Sequence, residues 1–176
     1  MKETIRYGFI LGIICFLASA VLSVVNAVTA PKIEEQKMLE ERAALEEVMP
    51  EADDFLAKSL GDSVYYLAFA NQKLIGFVIK SSGEGYSSDI ETLAGLDLKL
   101  EITNIKILSQ NETPGLGNRV EEASFTEQFQ GRDSNSIDQV EAITGATISS
   151  SAVIDSIKKQ TSELENILLQ EIKNAG

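Results

Sequence analysis

Hydrophobic and polar positions divide the chain into a long apolar N-terminal segment and a mixed remainder. Residues 7–31 contain no Asp, Glu, Lys or Arg and are rich in Ile, Leu, Val, Ala and Phe. Because a helix rises about 1.5 Å per residue, this run is long enough to cross a hydrocarbon layer of about 30 Å. The pattern predicts a transmembrane helix over residues 7–30, preceded by a short N-terminal segment over residues 1–6.

A cleavable signal peptide is the alternative interpretation of this segment. Lys2 and Arg6 form a basic start, and Ala18-Ser19-Ala20 has the small-x-small spacing of a cleavage site. The apolar run continues well past that site, which favours a retained helix. The basic start favours a single-pass protein of the inner (cytoplasmic) membrane, with the N-terminus inside and the rest outside, although Lys32 and Lys37 on the far flank oppose this orientation.

Residues 31–60 are predicted to form a helical stalk and linker. The run from Lys32 to Met49 is dense in Glu, Leu, Ala, Met and Lys and contains no Gly, and Pro31 suits a first helical turn. Its apolar stripe is too thin to support a coiled coil. We therefore expect a helix that continues from the membrane segment.

The middle of the chain has the pattern of β-strands. Two β-rich runs, Val64–Ala70 and Leu74–Lys80, flank a three-residue turn and predict a hairpin. Two further strands are predicted over Ile90–Leu96 and Leu100–Leu108, in an antiparallel meander. Loops are predicted over residues 81–89 and 111–117, which are rich in residues that favour turns.

The last third of the chain mixes helical and extended patterns. Helical spacing predicts a helix over Arg119–Phe129, and a short strand is predicted over Gln139–Ile143. A long helix is predicted from about Ile148 to Lys173, with a buried face formed by Val153, Ile157, Leu164, Ile167 and Leu168. The order of elements predicts an α+β fold, with a single domain over residues 61–176 that has a curved antiparallel sheet and flanking helices.

Composition narrows the chemistry that this domain can perform. The chain has no His, a single Cys and 27 acidic against 15 basic residues. Without imidazole there is no Ser-His or Cys-His nucleophile and no His-ligated metal, so we expect no catalytic side chain and no metal site. The acidic balance argues against a nucleic-acid partner. It is typical of a soluble surface, and a docking face for a positively charged partner is the alternative.

One segment, Glu141–Ser151, combines a strand end, a small flexible step and a helix start. Its sequence is EAITGATISSS, with hydroxyl groups at Thr144, Thr147, Ser149, Ser150 and Ser151. Ser and Thr are ordinary helix N-caps, so the pattern alone is typical of a helix start.

The same residues closely resemble the flavinylation motif of the FMN-binding domain family, whose last Thr carries FMN through a phosphoester bond. Glu141, Thr144, Gly145, Ala146 and Thr147 fill the places of that motif, although the family usually has Asp where this chain has Glu141. The resemblance implies FMN attached covalently to Thr147, with Thr144 and Ser149 as hydrogen-bond donors near the phosphate. A helix N-terminus, which offers free N–H groups and a positive dipole end, suits the remaining phosphate charge.

Two further loops resemble the same family. Residues 112–117, ETPGLG, match a loop of its Rnf and quinone-reductase members, which implies that Glu112, Thr113, Gly115 and Leu116 line the flavin. Alone this loop is typical of an ordinary turn. A weaker likeness at Gly83–Tyr86 suggests that Tyr86 packs on the flavin, and a surface tyrosine is the alternative.

The anchor and the short length are similar to the G subunit of the Rnf electron-transport complex. That resemblance implies an electron-carrying component of a translocase that couples electron transfer between ferredoxin and NAD to ion transport. The implied partners are the other subunits of the complex and a flavin transferase that attaches the cofactor. The alternatives are the C subunit of a sodium-translocating NADH:quinone reductase and a non-enzymatic membrane-anchored binding module.

Overall fold

The computed structural model describes residues 2–61 and 63–175. Met1 of the predicted N-terminal segment, and Asp62 and Gly176 of the predicted domain, lie outside the described residues. The described residues form three α-helices and five β-strands. The helices are α1 (Lys2–Val48), α2 (Ala123–Thr126) and α3 (Thr147–Ala175), and the strands are β1 (Asp54–Leu60), β2 (Ser63–Ala70), β3 (Lys73–Glu84), β4 (Asp89–Asp97) and β5 (Ile102–Ser109). The chain divides after Glu40 into two compact units.

The first unit consists of α1 up to Glu40. Its apolar side chains are exposed, with Phe9 and Phe16 more than two-thirds accessible. Among the described residues, α1 is the one helix that is long and apolar enough to cross a membrane. The predicted apolar N-terminal helix is confirmed, and its side chains suit a hydrocarbon environment.

The second unit is built on an open antiparallel sheet in the order β1-β2-β3-β4-β5. The predicted hairpin of β2 and β3 pairs Ala70 with Lys73. Asn71 and Gln72 alone make the turn, with φ values of 49° and 64° that are typical of a two-residue hairpin loop, whereas Lys73, the third residue of the predicted turn, begins β3. The predicted meander and the α+β fold class are confirmed.

Helix α3 covers one face of the sheet. Val153, Ile157, Leu164 and Leu168 are fully buried against strand residues that include Phe77 and Ile79. These helix residues belong to the face that the sequence predicted. Burial of this layer stabilises the unit by about 25 cal/mol per Å² of apolar surface removed from water.

The C-terminal end of α1 covers the other face. Leu45, Val48 and Met49 pack on Val78 and Leu93 in a second, smaller cluster. Outside that cluster, the Lys80 ammonium lies 3.8 Å from the Glu41 carboxylate and 3.4 Å from that of Glu91. The last two turns of α1 are therefore part of this unit.

The predicted stalk and linker over residues 31–60 is helical only as far as Val48. Residues Asp54–Leu60 instead form β1, the edge strand, paired with β2 from Asp54↔Phe69 to Leu60↔Ser63. None of its side chains is fully buried, so it lacks the apolar alternation that marks a strand in sequence.

Two other predicted elements are wrong. The helix over Arg119–Phe129 is broken at Glu122, whose extended backbone (ψ 141°) separates a 3₁₀ turn from α2. The strand over Gln139–Ile143 is absent from the described residues, where a 3₁₀ turn over Ile137–Gln139 leads into irregular chain. In both segments isolated apolar residues, such as Phe125 and Val140, are buried in the core, and the residues between them do not form a regular element.

Candidate functional site

A tight turn delivers the chain into the start of α3. Gly145 has a φ of +84°, which glycine adopts without the strain of a side chain. The Ala146 N–H donates to the Ile143 carbonyl at 2.9 Å. The Ser150 hydroxyl accepts from the Ile143 N–H at 3.0 Å and donates to the Ala146 carbonyl at 2.9 Å. These contacts fix the geometry in which Thr147 becomes the first helical residue.

Thr147 is exposed at the N-terminus of a 29-residue helix. Within the described part of the chain, the backbone N–H groups of Thr147, Ile148 and Ser149 have no protein acceptor. Unpaired amides and the positive end of the helix dipole make this turn favourable for an anion.

A cavity of about 400 Å³ opens beside Thr147. Three segments line it: the loop after β3, the loop after β5 and the turn into α3. The lining residues are Tyr86, Glu112, Thr113, Leu116, Gly117, Gly145, Ala146, Thr147, Ile148 and Ser149. The volume lies in the range of about 300–1,000 Å³ that is typical of small-molecule and cofactor sites.

Glu112 joins these three segments through its carboxylate. Oε1 accepts from the N–H groups of Ser87 at 2.9 Å and Ser88 at 3.1 Å. Oε2 accepts from the Tyr86 N–H at 3.2 Å and from the Ser149 hydroxyl at 2.6 Å. The side chain is buried, with 6% of the residue exposed.

The hydrogen bonds keep this buried carboxylate ionised. Burial alone raises the pKa of Glu112, because a charge is poorly solvated in the interior. The bonds from the Ser149 hydroxyl and the three backbone N–H groups act in the opposite direction and outweigh burial, so the pKa is lowered. Of the described residues that line the cavity, Glu112 alone carries a formal charge.

The outer edge of the cavity is apolar and accessible. Tyr86 is 72% exposed, Ile148 55% and Leu116 49%. Large apolar side chains this exposed around a concave site offer a surface for a flat, partly apolar ligand.

The structure brings together most of the predicted site residues. Glu112, Thr113, Leu116, Gly145, Ala146, Thr147 and Ser149 line the cavity. Thr144 and Gly115 do not line it. The Ser149 hydroxyl is directed at Glu112 instead of outward.

Ile148 was not among the predicted residues, and Gly117 was predicted only as part of the loop over residues 112–117. Ile148 is an exposed apolar residue outside the buried stripe of α3. The helical period of the sequence places it on the outer face, and a large apolar residue there indicates a binding surface. A Cβ on Gly117 would lie 2.5 Å from Glu112 Oε2, a reason for glycine that only the folded structure reveals.

Comparison with protein families matches two parts of the chain. Residues 85–161 match the FMN-binding domain, and residues 1–48 match the RnfG N-terminal region. The G subunit of the Na⁺-translocating ferredoxin:NAD⁺ oxidoreductase complex of Acetobacterium woodii is 28% identical over 94% of both chains. The G subunit of the ion-translocating oxidoreductase complex of Photorhabdus laumondii is 30% identical over 95% of this chain and 93% of that protein.

A solved structure shares the fold. The crystal structure of Shewanella oneidensis NqrC superposes with a TM-score of 0.54 and 17% sequence identity, over 72% of this chain and 74% of that one. At this identity the likeness establishes a common fold.

Proposed function

The chain belongs to the G-subunit family of the ion-translocating oxidoreductase complexes and contains an FMN-binding domain, and from this premise we propose that it is the electron-carrying flavoprotein of such a complex, with FMN bound covalently to Thr147. The complex would couple electron transfer between ferredoxin and NAD to ion translocation, as the name of the Acetobacterium woodii relative states for its own complex. The observation that carries the proposal is the exposed Thr147 hydroxyl beside a cofactor-sized cavity.

The first turn of α3 fits a phosphodiester. The unpaired N–H groups of Thr147, Ile148 and Ser149 are donors for the phosphate oxygens, and the helix dipole favours the remaining negative charge. The exposed step at Gly145 leaves room for a phosphate and for an enzyme that must reach Thr147.

The cavity fits a flavin ring bound along its apolar edge. Tyr86, Leu116 and Ile148 would contact the ring, and the backbone of residues 112–117 would lie beside it. Thr144 and Gly115, which do not line the cavity, would act at the phosphate or in the shape of the loop. FMN supplies the capacity to accept and donate one or two electrons, so the chain itself needs no general base or nucleophile.

Attachment requires a flavin transferase and an activated flavin nucleotide. A bond forms between Thr147 Oγ1 and the FMN phosphorus, and the bond from phosphorus to the leaving group of the donor breaks. The hydroxyl proton would pass to a basic group of the transferase, and Glu112 is not available for this role because it is held by four hydrogen bonds.

Membrane association follows from the apolar helix and from the membrane complexes to which the relatives belong. We propose a single pass with the N-terminus inside and the flavin domain outside, supported by Lys2 and Arg6 before the apolar run. In a Cys15→Ala background, Asn135→Cys in intact cells should react with a membrane-impermeant thiol reagent. Reaction only after lysis would reverse the orientation.

The attachment is tested by coexpression with a flavin transferase. The tryptic peptide 133–158 should gain the mass of an FMN phosphoester, and fragment ions should place it on Thr147. Thr147→Ala should remove the adduct and the in-gel flavin fluorescence completely while the circular dichroism stays unchanged.

Ser151→Ala is the matched control, since it removes a hydroxyl from the same peptide and should keep the adduct. An unmodified wild-type peptide, or an adduct that persists in Thr147→Ala, contradicts the proposal. A colourless protein despite an active transferase would instead support a binding module without flavin.

A further inference from the structure

Glu112 has no free capacity to bind a ligand. A carboxylate offers about four acceptor sites, two on each oxygen. In this structure Oε1 is occupied by two N–H groups, and Oε2 by one N–H group and the Ser149 hydroxyl. An ionised carboxylate also has no proton to donate, so its contacts point to a task within the protein.

The partners of Glu112 belong to segments that are far apart in sequence. Residues 86–88 precede it by about 25 positions, and Ser149 follows it by 37. The loop at residues 86–88 contains no regular structure, and its three consecutive N–H groups converge on one side chain. Only a carboxylate side chain has enough acceptor sites to satisfy all four donors at once.

Two glycines leave room for this carboxylate. A Cβ on Gly85 would lie 2.6 Å from Glu112 Oε1, and a Cβ on Gly117 would lie 2.5 Å from Oε2. Neither glycine has a positive φ, so the close approach of the carboxylate explains them better than backbone freedom does. The two loops are therefore shaped around Glu112.

We propose that Glu112 is a positioning residue that holds residues 86–88 and the first turn of α3 together, so that the cavity beside Thr147 has its shape before any cofactor is attached. Its functional meaning rests on the proposed attachment at Thr147, whereas the positioning itself can be measured without flavin. Glu112 thus acts on the flavin site through Tyr86 and Ser149.

The experiment measures backbone amide exchange in the full chain, in detergent, expressed without transferase. Hydrogen–deuterium exchange at residues 86–88 should be about tenfold faster in Glu112→Gln, where an amide keeps part of the contacts. It should be about a hundredfold faster in Glu112→Ala, because hydrogen bonds to a charged group are lost. Glu84→Gln, which alters an exposed carboxylate at the end of β3, is the matched control and should exchange like wild type.

A second measurement separates positioning from general stability. With purified transferase, the apparent KM for Glu112→Ala should rise severalfold while kcat changes less, because only the fraction of chains with a formed site is competent. The proposal is overturned if amide exchange at residues 86–88 is unchanged in Glu112→Ala. It is also overturned if exchange in β5 rises as much as exchange at residues 86–88. If wild type acquires no FMN, the proposed function fails but the exchange result still decides the role of Glu112.

Discussion

The floor and the rim of the cavity differ in how they are held. The floor consists of Glu112 and Ser149, which are joined by a hydrogen bond, and Gly117, which lies against both, and all three are buried. The rim consists of Tyr86, Leu116, Thr147 and Ile148, which are exposed. Ser149 and Thr147 show the difference within a single helical turn. The Ser149 hydroxyl donates to a carboxylate 2.6 Å away, while Thr147 is accessible to solvent and to an enzyme.

This difference teaches that, in the proposed site, structural support and cofactor attachment belong to different residues. A buried polar group is costly unless every partner is present, so the floor tolerates little change. The rim contributes little to folding, because its side chains remain in water. Substitutions in the floor should therefore change stability, and substitutions in the rim should change only the behaviour of the bound cofactor.

The largest change in stability should come from filling the floor. Gly117→Ala should lower the free energy of unfolding of the domain by about 3 kcal/mol, because the new methyl group must displace the Glu112 carboxylate or the Ser149 hydroxyl. Urea denaturation followed by circular dichroism measures this. Gly115→Ala is the matched control and should cost only about 1 kcal/mol, since its strain comes from a φ of +77° with open space around it.

Equal losses in the two glycine variants would remove the distinction between a floor shaped by packing and a loop shaped by backbone freedom. A loss in Gly117→Ala that is confined to FMN attachment, with unchanged unfolding, would place Gly117 in the rim.

How far the sequence predicts this site depends on the range of the interactions. Thr147, Gly145 and Ala146 are predictable because the motif and the helix start are local. The partners of Glu112 are not, because its four hydrogen bonds join segments separated by 24 to 37 residues. The sequence also predicted the Ser149 hydroxyl to lie near the phosphate. It could not show that this hydroxyl faces the interior and donates to Glu112.

The fold shows the same limit. Strands β2 to β5 and the buried face of α3 were predictable from apolar periodicity. Strand β1 was not, since an edge strand with no fully buried side chain carries little periodic signal. The break at Glu122 is followed by Phe125 and Phe129, which are both fully buried in the core, and helical spacing alone did not predict the break.

A smaller effect on stability should appear on acidification. The pKa of Glu112 is lowered in the folded state, so its contribution is fully present above its unfolded pKa of about 4.3 and is lost as the pH falls through the folded pKa. Stability should therefore fall as the pH drops below about 4.3, and Glu112→Gln should show a shallower fall. Unfolding midpoints across the acidic range up to neutral pH measure this.

Asp133 is a second carboxylate whose pKa is lowered in the folded state, and it provides the control. Its pKa is lowered to about 2, chiefly by hydrogen bonds from Ser136 and Asn135, so its contribution is also lost as the pH falls below its unfolded value. Asp133→Asn should remove a different part of the acid dependence and leave amide exchange at residues 86–88 unchanged. Identical pH profiles of wild type and Glu112→Gln would show that the carboxylate is not held ionised by the floor.

The smallest effect on stability should come from the rim. Tyr86→Ala and Leu116→Ala should change the free energy of unfolding by no more than about 0.5 kcal/mol, because both side chains are largely exposed. In the FMN-loaded protein, however, Tyr86→Ala should raise flavin fluorescence, since the electron-rich phenol of a tyrosine packed on the ring quenches it by electron transfer. Tyr86→Phe should raise it as well, because a phenyl ring is a poor electron donor, whereas Tyr86→Trp should keep the quenching. Leu56→Ala, at an exposed leucine on β1, is the matched control and should change neither quantity. A loss of stability in Tyr86→Ala as large as that in Gly117→Ala would show that the rim supports the fold. Flavin fluorescence that is unchanged by Tyr86→Ala would place the flavin away from this edge of the cavity.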